Sequence, residues 1–432
     1  MKKMLFYLFI GILLFPAIQK QGQLFQFAKL TGSFVPVKDV EITTTTWFSA
    51  EYQSKKDKYI KDHIGFRPFF VRIYNQLLYS FFHLANNPGG VVGTQDYLYL
   101  ESYIYNYTGE NFIGWKNINS VATKLKFLQT YFAEKDISLI TVIVPSKASF
   151  YPEYIPSRFK MFPTNNYHAY CQVFDSLQLD YLDLNKYILS MKDDSPYPLF
   201  SKNGLHWTSY GMALGMDTLI RKIEQARNVN LPDFSWEEPV YMEPMSFDTD
   251  FDAESLMNLY VDMPKAEMPY PKYIFGSDEN KTTPKTIVIS DSYYWRAYKE
   301  KIPHHILDWG GFWYYFNTAR DEENGEEVVT PVKKYNLPEK LLEQDVIVLF
   351  ASQATLHIFP FGFDKKVYPI FMPHDMESLL AYYKENIVAN KEWKDGILRK
   401  AEQANRSFDE QLEKDAAWMA RKFMKEKALQ KK

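Results

Sequence analysis

Cysteine is nearly absent. The single Cys171 among 432 residues excludes an intrachain disulfide framework and any thiolate metal motif, and it leaves the compartment open, because exported proteins need not carry disulfides. Excess charge is missing as well. Lys and Arg number 50 against 53 Asp and Glu, for a net charge of −3, so no global basic field points to nucleic acid. There is no internal repeat, no low-complexity segment and no cofactor or metal motif. The apolar run from Met4 to Ile18, behind Lys2 and Lys3, is short of the ~20 residues of a full membrane span. No small-x-small cleavage site follows it; Phe15-Pro16-Ala17-Ile18-Gln19-Lys20 stands there instead. The pattern is that of an export signal. Residues 1–20 are therefore expected to form an uncleaved signal anchor, with a cleaved signal peptide as the alternative, and the remainder is expected outside the cytoplasm.

Aromatic residues are plentiful, at 17% of the chain. Stacking against sugar rings would use them, and an aromatic-rich core would account for them equally. The chain is organised around Thr286-Ile287-Val288-Ile289-Ser290-Asp291-Ser292, four β-branched residues running into a Ser-Asp-Ser turn with Tyr293-Tyr294-Trp295 behind it. This predicts a buried parallel strand, a sharp turn and a helix start. Open α/β sheets place their chemistry at such strand ends. Ser292 there is either a helix cap or a nucleophile whose own N–H serves a developing oxyanion. Asp291 is expected to pin the turn through its side chain.

A second motif is Asn203-Gly204-Leu205-His206-Trp207-Thr208-Ser209-Tyr210-Gly211. It follows a proline-broken loop, Lys192 to Lys202, and precedes an apolar periodic run from Met212 to Ile223. Thr208 is the natural N-cap, which puts His206 in the loop ahead of the helix, packed by Trp207 and able to act as a general base. Ser292 and His206 are expected to meet at one sheet edge.

Together these motifs resemble the alginate O-acetyltransferase (AlgX/AlgJ-like) branch of the SGNH hydrolase-like superfamily, in which an Asp-x-His-Trp motif precedes a Gly-Asp-Ser motif. Val144-Pro145-Ser146-Lys147 with Tyr151-Pro152 looks like a further strand-end segment of that family. Gly93-Thr94-Gln95-Asp96-Tyr97-Leu98-Tyr99 is similar to its "G-x-D-G-W-L-F" entry to the domain. The resemblance covers roughly residues 90 to 365. It implies a three-layer α/β SGNH-like parallel sheet with Ser292 and His206 as catalytic pair and no cofactor. It further implies an extracytoplasmic polysaccharide or glycan as acceptor, and a membrane-bound O-acyltransferase as acetyl supplier. The place implied is the periplasmic side of the inner membrane. Lys147, Tyr151, Trp207 and Tyr294 are the expected substrate-binding residues; Lys147 would hold an anionic substrate or orient its loop, unless it is a solvated loop lysine.

Two positions depart from the family pattern. Ser290 stands for the glycine before Asp291, and Gly204 for the triad aspartate. Loss of that aspartate costs on the order of 10⁴ in rate in a serine protease, so His206 is expected to be oriented by another carboxylate or, as a weaker base, by a backbone carbonyl. Asp183, Asp193 and Asp194 are the candidates by sequence proximity, and Gly204→Asp is the variant expected to strengthen a weakened dyad. An acetyl esterase and a non-catalytic glycan- or partner-binding scaffold are the competing readings.

The remaining organisation follows from composition. Residues 21–88 form an N-terminal arm whose helix from Pro68, with Phe69, Phe70, Ile73, Leu77 and Phe81 on one broad side, is expected to pack on the main domain, as it carries little excess positive charge. Asn86-Asn87-Pro88-Gly89-Gly90 marks the boundary to the SGNH-like domain, residues 89–372. Within it a helical stripe at Val121, Leu125, Leu128 and Phe132 precedes a strand from Leu139 to Val144. Further strands are expected over Leu179–Leu184 and Asp345–Phe350. Asn228 to Lys285 is a proline- and acid-rich insertion of the sort that forms lids or binding surfaces. Trp309-Gly310-Gly311-Phe312-Trp313-Tyr314-Tyr315 is either a sugar-binding cleft wall or a packed turn. Residues 373–432 form a C-terminal helical hairpin with a capping box, Ser407-x-x-Glu410, and a basic end, Arg421 to Lys432, expected to be a solvated tail.

Overall fold

The computed structural model describes residues 2–32, 37–276, 280–323 and 326–430, without the side chains of 309, 310, 322, 323 and 426–430. Seven strands make the central sheet: β1 (Ser138–Val144), β2 (Tyr181–Asp183), β3 (Lys285–Ser290), β4 (Asp308–Tyr314), β5 (Thr318–Glu323), β6 (Glu326–Pro331) and β7 (Val346–Ser352). Their order is β6-β5-β4-β3-β7-β1-β2. β4, β3, β7, β1 and β2 are mutually parallel, and β5 and β6 extend the edge antiparallel. β3, β7 and β1 are the strands expected from their β-branched runs. Being central they are covered on both faces, which is why they are apolar without alternation.

The pleat sends their side chains to two separate cores. Leu139, Ile143, Ile287, Ile289, Ile347 and Leu349 pack under the helices Trp115–Ala133 and Asn166–Ser176. Ile140, Val142, Val288, Val346, Val348 and Phe350 pack under the helix Ser209–Arg227. The result is the expected three-layer, SGNH-like α/β arrangement. β4 is the part not foreseen: the stretch from Trp309 is a strand beside β3 rather than a turn, with Phe312 and Trp313 fully buried, while Tyr315 just past its end lines a cavity. The Trp309 side chain lies outside the described residues.

The insertion is a folded excursion. Phe234–Trp236 pairs with Tyr273–Phe275, and Tyr241–Pro244 pairs with Glu267–Tyr270, both antiparallel. The nested ladders form a stem that carries a tip, residues 245–266, with the short helix Asp252–Met257. The tip is stitched to the loop before His206. Asn203 O accepts from Glu254 N at 3.0 Å, Asn203 Nδ2 donates to Glu254 Oε2 at 2.7 Å, and Ser201 Oγ donates to Asp250 O.

Ahead of the sheet domain run the helices Lys2–Gly22, Glu51–His63 and Arg67–Phe82, the last with Pro68 in its first turn. The first is long and apolar enough to cross a membrane. The helix Arg67–Phe82 does lie on the main body, through Phe69 and Tyr79 and through Arg72, Asn75 and Gln76, whose polar groups meet open backbone groups of the arm and the tip, while Phe70, Leu77 and Phe81 stay exposed. At the C-terminus the pair Lys391–Gln403 and Phe408–Gln430 is joined by a preceding helix, Met376–Ala389, around Ile387, Ile397, Leu412 and Ala416. Ser407 and Glu410 exchange the two capping-box bonds, at 2.9 and 3.2 Å. Within the basic end 421–432, side chains after Lys425 lie outside the described residues.

Candidate active site

Ser292 and His206 come together at the C-terminal rim of the sheet. β3 ends at Ser290, and Asp291 closes the turn: fully buried, its carboxylate accepts from Tyr293 N (3.0 Å), Ser352 N (2.8 Å), Ser352 Oγ (2.6 Å) and Thr355 Oγ1 (2.6 Å). A carboxylate taking four donors ties the end of β3 to the end of β7 and leaves Ser292 at the mouth of the turn. Ser290, at the family's glycine position, is a fully buried strand residue.

The His206 loop is held from several sides. Thr208 caps the helix Ser209–Arg227, accepting from Gly211 N at 3.1 Å. The Trp207 indole donates to Tyr293 O at 3.1 Å, and the Tyr293 hydroxyl donates to Leu205 O at 2.8 Å. His206, buried but for its edge, places Nε2 2.9 Å from Ser292 Oγ.

The third group is Asp252. Its Oδ2 lies 2.6 Å from His206 Nδ1, and its Oδ1 accepts from Leu205 N at 2.8 Å. A carboxylate at Nδ1 fixes the tautomer: Nδ1 carries the hydrogen, and Nε2 is left to accept from the Ser292 hydroxyl. The expected substitutes do not reach the ring. Asp183 caps the helix Leu184–Ser190 and accepts from Tyr167 OH, while Asp193 and Asp194 are exposed in the following loop. Asp252 lies 46 residues beyond His206, in an acid-rich stretch without periodicity. The string Asp248-x-Asp250-x-Asp252 was the available hint, and nothing local distinguishes its third acid.

Gly204 shows why the acid comes from elsewhere. A Cβ at 204 would stand 2.2 Å from Thr249 O and 2.8 Å from the Asp250 carbonyl. The backbone of the tip therefore occupies the space that the family's aspartate would need, and the same tip supplies Asp252. Beneath it Arg296, itself buried, pairs with Asp250 at 2.6 Å, donates to Thr249 Oγ1 and to Ser209 Oγ, and stacks on Phe247. Burial pushes the Asp250 carboxyl above its usual range, and Arg296 draws it back.

The expected substrate contacts are corrected. Lys147 is neither solvated nor at the cleft. It is completely buried, and its Nζ donates to the carbonyls of Lys202 (2.5 Å) and Gly204 (2.7 Å), so it fastens the His206 loop. Burial pushes its pKa well below the ordinary lysine value, the Asp252 charge opposing and the Lys202 charge assisting. Trp207 and Tyr294 point into the core, Tyr294 against Phe312 and Phe350. Tyr151 packs among Tyr97, Phe150 and Tyr154. Residues at a sheet rim turn inward or outward according to the turn they enter, which periodicity does not reveal.

A cleft of about 480 Å³ opens over Ser292 and His206, lined also by Thr31, Phe251, Leu256, Trp295 and Lys299. Tyr103 was not foreseen either. It is buried beside Tyr293, ring centroids 6.5 Å apart, and burial, with the charges of Asp291 and Asp252, pushes its pKa well above the usual tyrosine value, so its hydroxyl stays protonated.

Residues 91–236 match the family model described as SGNH hydrolase-like domain, acetyltransferase AlgX. The chain's resemblance is to that family. The matched segment contains His206 and ends before Asp252 and Ser292. Among solved structures, the O-acetyltransferase domain of Pseudomonas putida AlgJ is similar at 14% identity, over 63% of this chain and 93% of that one, with a TM-score of 0.43. Pseudomonas aeruginosa AlgX is similar at 12% identity, over 64% and 67%, with a TM-score of 0.41. Bacillus cereus PatB1 is similar at 11%, over 57% and 93%, with a TM-score of 0.35. No curated protein sequence matches.

Proposed function

We propose that the protein is a serine O-acetyltransferase that acetylates an extracytoplasmic polysaccharide or glycan. The observation that carries this reading is the unbroken chain Ser292–His206–Asp252 at the floor of an open cleft. Ser292 Oγ attacks the acetyl carbonyl of the donor as its proton passes to His206 Nε2. The C–O or C–S bond to the leaving group breaks, and His206 returns that proton to the departing group. A sugar hydroxyl then attacks the acetyl-serine, gives its proton to Nε2, and Ser292 leaves and is reprotonated. Asp252 stabilises the imidazolium in both halves. The Ser292 N–H, at the opening of its turn, is the group assigned to the oxyanion; one such donor is typically worth ~2.7–4 kcal/mol.

The scaffold alternative drew its support from the missing acid at 204, and a carboxylate on Nδ1 removes that ground. The apolar helix Lys2–Gly22 supports a place at the outer face of the inner membrane, with a membrane-bound O-acyltransferase as acetyl supplier. The test is a pair of measurements on purified full chain: aryl acetate turnover, and acetyl transfer to added oligosaccharide. Ser292-dependent transfer supports the reading. Ser292-dependent hydrolysis with no transfer to any sugar would make the protein an esterase, and no Ser292-dependent chemistry at all would leave the scaffold.

A further inference from the structure

The helix Arg67–Phe82 meets the protein through Arg72, Asn75 and Gln76 together with Phe69 and Tyr79, and leaves a separate apolar stripe facing away. Facing inward, Asn75 Nδ2 donates to Met257 O at 2.6 Å, the Arg72 guanidinium donates to the carbonyls of Ala28 and Lys29, both at 3.0 Å, and Gln76 Oε1 accepts from Val261 N at 3.0 Å. Facing outward are Phe70 (50% exposed), Tyr74 (56%), Leu77 (48%) and Phe81 (74%). Their spacing of four, three and four residues puts them in one straight line along the helix. A water-facing helix has the opposite pattern, and an exposed contiguous apolar face marks a surface that something covers.

What covers it is indicated by where the helix begins. Gly65, just before it, is closed against the end of the helix Lys2–Gly22: a Cβ there would stand 2.1 Å from Pro16 O and 2.9 Å from Lys20 N. Phe66 packs on Phe15 with ring centroids 4.9 Å apart. The stripe thus starts beside the C-terminal end of the apolar helix, at the level where a membrane span reaches the bilayer surface. The two helices do not cover each other, since Gln19 is the only buried residue in Lys2–Gly22. The aromatic character of the stripe, Phe70, Tyr74 and Phe81, is that of residues that settle at the headgroup boundary.

We propose that this stripe lies in the interfacial layer of the same membrane that the helix Lys2–Gly22 enters. The opposite side of the helix grips Met257 and Val261 of the tip, whose helix begins at Asp252. The surface would therefore set the height of the cleft above the bilayer. Since the stripe itself carries no cation, its contact with lipid is expected to be independent of salt and of anionic lipid.

The inference rests on the anchor reading, and the experiment separates the two. Full chain carrying Cys171→Ala and Leu77→Cys is reconstituted in phosphatidylethanolamine nanodiscs, spin-labelled at 77, and probed with oxygen and with a water-soluble nickel chelate. A control label replaces Glu392 on the helix Lys391–Gln403. The expected result is that oxygen collides with the label at 77 more than the chelate does, unchanged in high salt, with the reverse at 392. An intact, lipid-integrated chain whose label at 77 meets the chelate freely overturns the stripe alone. A short label-to-label distance between copies also overturns it, in favour of a second copy of this chain as the occupant. A chain cleaved beyond residue 20 and no longer associated with lipid overturns anchor and stripe together.

Discussion

Asp252→Asn is the substitution that probes the site most sharply. Asparagine keeps the size of the side chain, and its carbonyl can still accept from Leu205 N, now served at 2.8 Å by Asp252 Oδ1. The loop should therefore hold its shape. The change falls on the 2.6 Å contact to His206 Nδ1: an amide N–H facing that nitrogen moves the imidazole hydrogen to Nε2, which then cannot accept from Ser292. The corresponding change in a serine protease lowers kcat by ~10⁴, equal to about 5.4 kcal/mol of transition-state stabilisation. The Asp252 side chain is 26% exposed, more open to water than a fully enclosed triad acid, so part of the imidazolium stabilisation is shared with solvent. A loss of ~10³ to 10⁴ in kcat is expected on that account. The assay is aryl acetate hydrolysis by full chain, with a thermal melt recorded alongside. A melt close to that of the unsubstituted protein, with less than a tenfold loss of kcat, would refute the assignment of Asp252 as the orienting acid.

Gly204→Asp should not strengthen the enzyme. Because a Cβ at 204 meets Thr249 O at 2.2 Å, the tip must shift, destabilising the protein by ~1–3 kcal/mol as overpacking does and lowering kcat; a gain in aryl acetate turnover would show that the acid belongs at 204. Arg296→Met strands the buried Asp250 and should cost ~3–5 kcal/mol of stability by denaturant titration, with much of it recovered when Asp250→Asn is added. Lys147 gives a pH dependence. Its folded pKa lies well below the ordinary 10.5, so between the two values the unfolded chain binds more protons and stability rises with pH. Thermal midpoints should climb as pH rises towards the ordinary lysine value, and Lys147→Met, which also leaves the carbonyls of Lys202 and Gly204 without their donor, should lose that climb.

The two ends of the site were legible because each is a local pattern. A run of β-branched residues must be a buried strand, a Ser-Asp-Ser turn must follow it, and a Thr208 cap puts His206 just ahead of a helix. The acid was not legible, because Asp252 reaches His206 only when the nested ladders of the insertion close and Arg296 draws the tip down. Proximity in sequence pointed to Asp183, Asp193 and Asp194, whereas the contact is made across the fold. Gly204 carried the information in an indirect form: a glycine where an aspartate is usual marks close passage of another backbone. Lys147, Trp207 and Tyr294 were placed at the cleft because they flank the motifs, yet residues that flank a motif are often those that hold it. β4 was hidden by its Gly-Gly pair, which favours a turn in isolation and is overridden by pairing with β3. The helix Arg67–Phe82 is recognisable from its apolar residues, but which of them face the protein is fixed with Arg72, Asn75 and Gln76, whose partners are tens to nearly two hundred residues away.

The central claim is that Ser292 is an activated nucleophile that carries the acetyl group. It is tested most directly by mixing full chain with an aryl acetate, quenching in acid within the first turnover and mapping the peptides by mass spectrometry. The account predicts one added acetyl group on Ser292, absent after Ser292→Ala or His206→Ala. In Asp252→Asn it should form more slowly. Released aryl alcohol with no acetyl on Ser292, or acetyl on Ser292 that forms equally fast without His206, would contradict it.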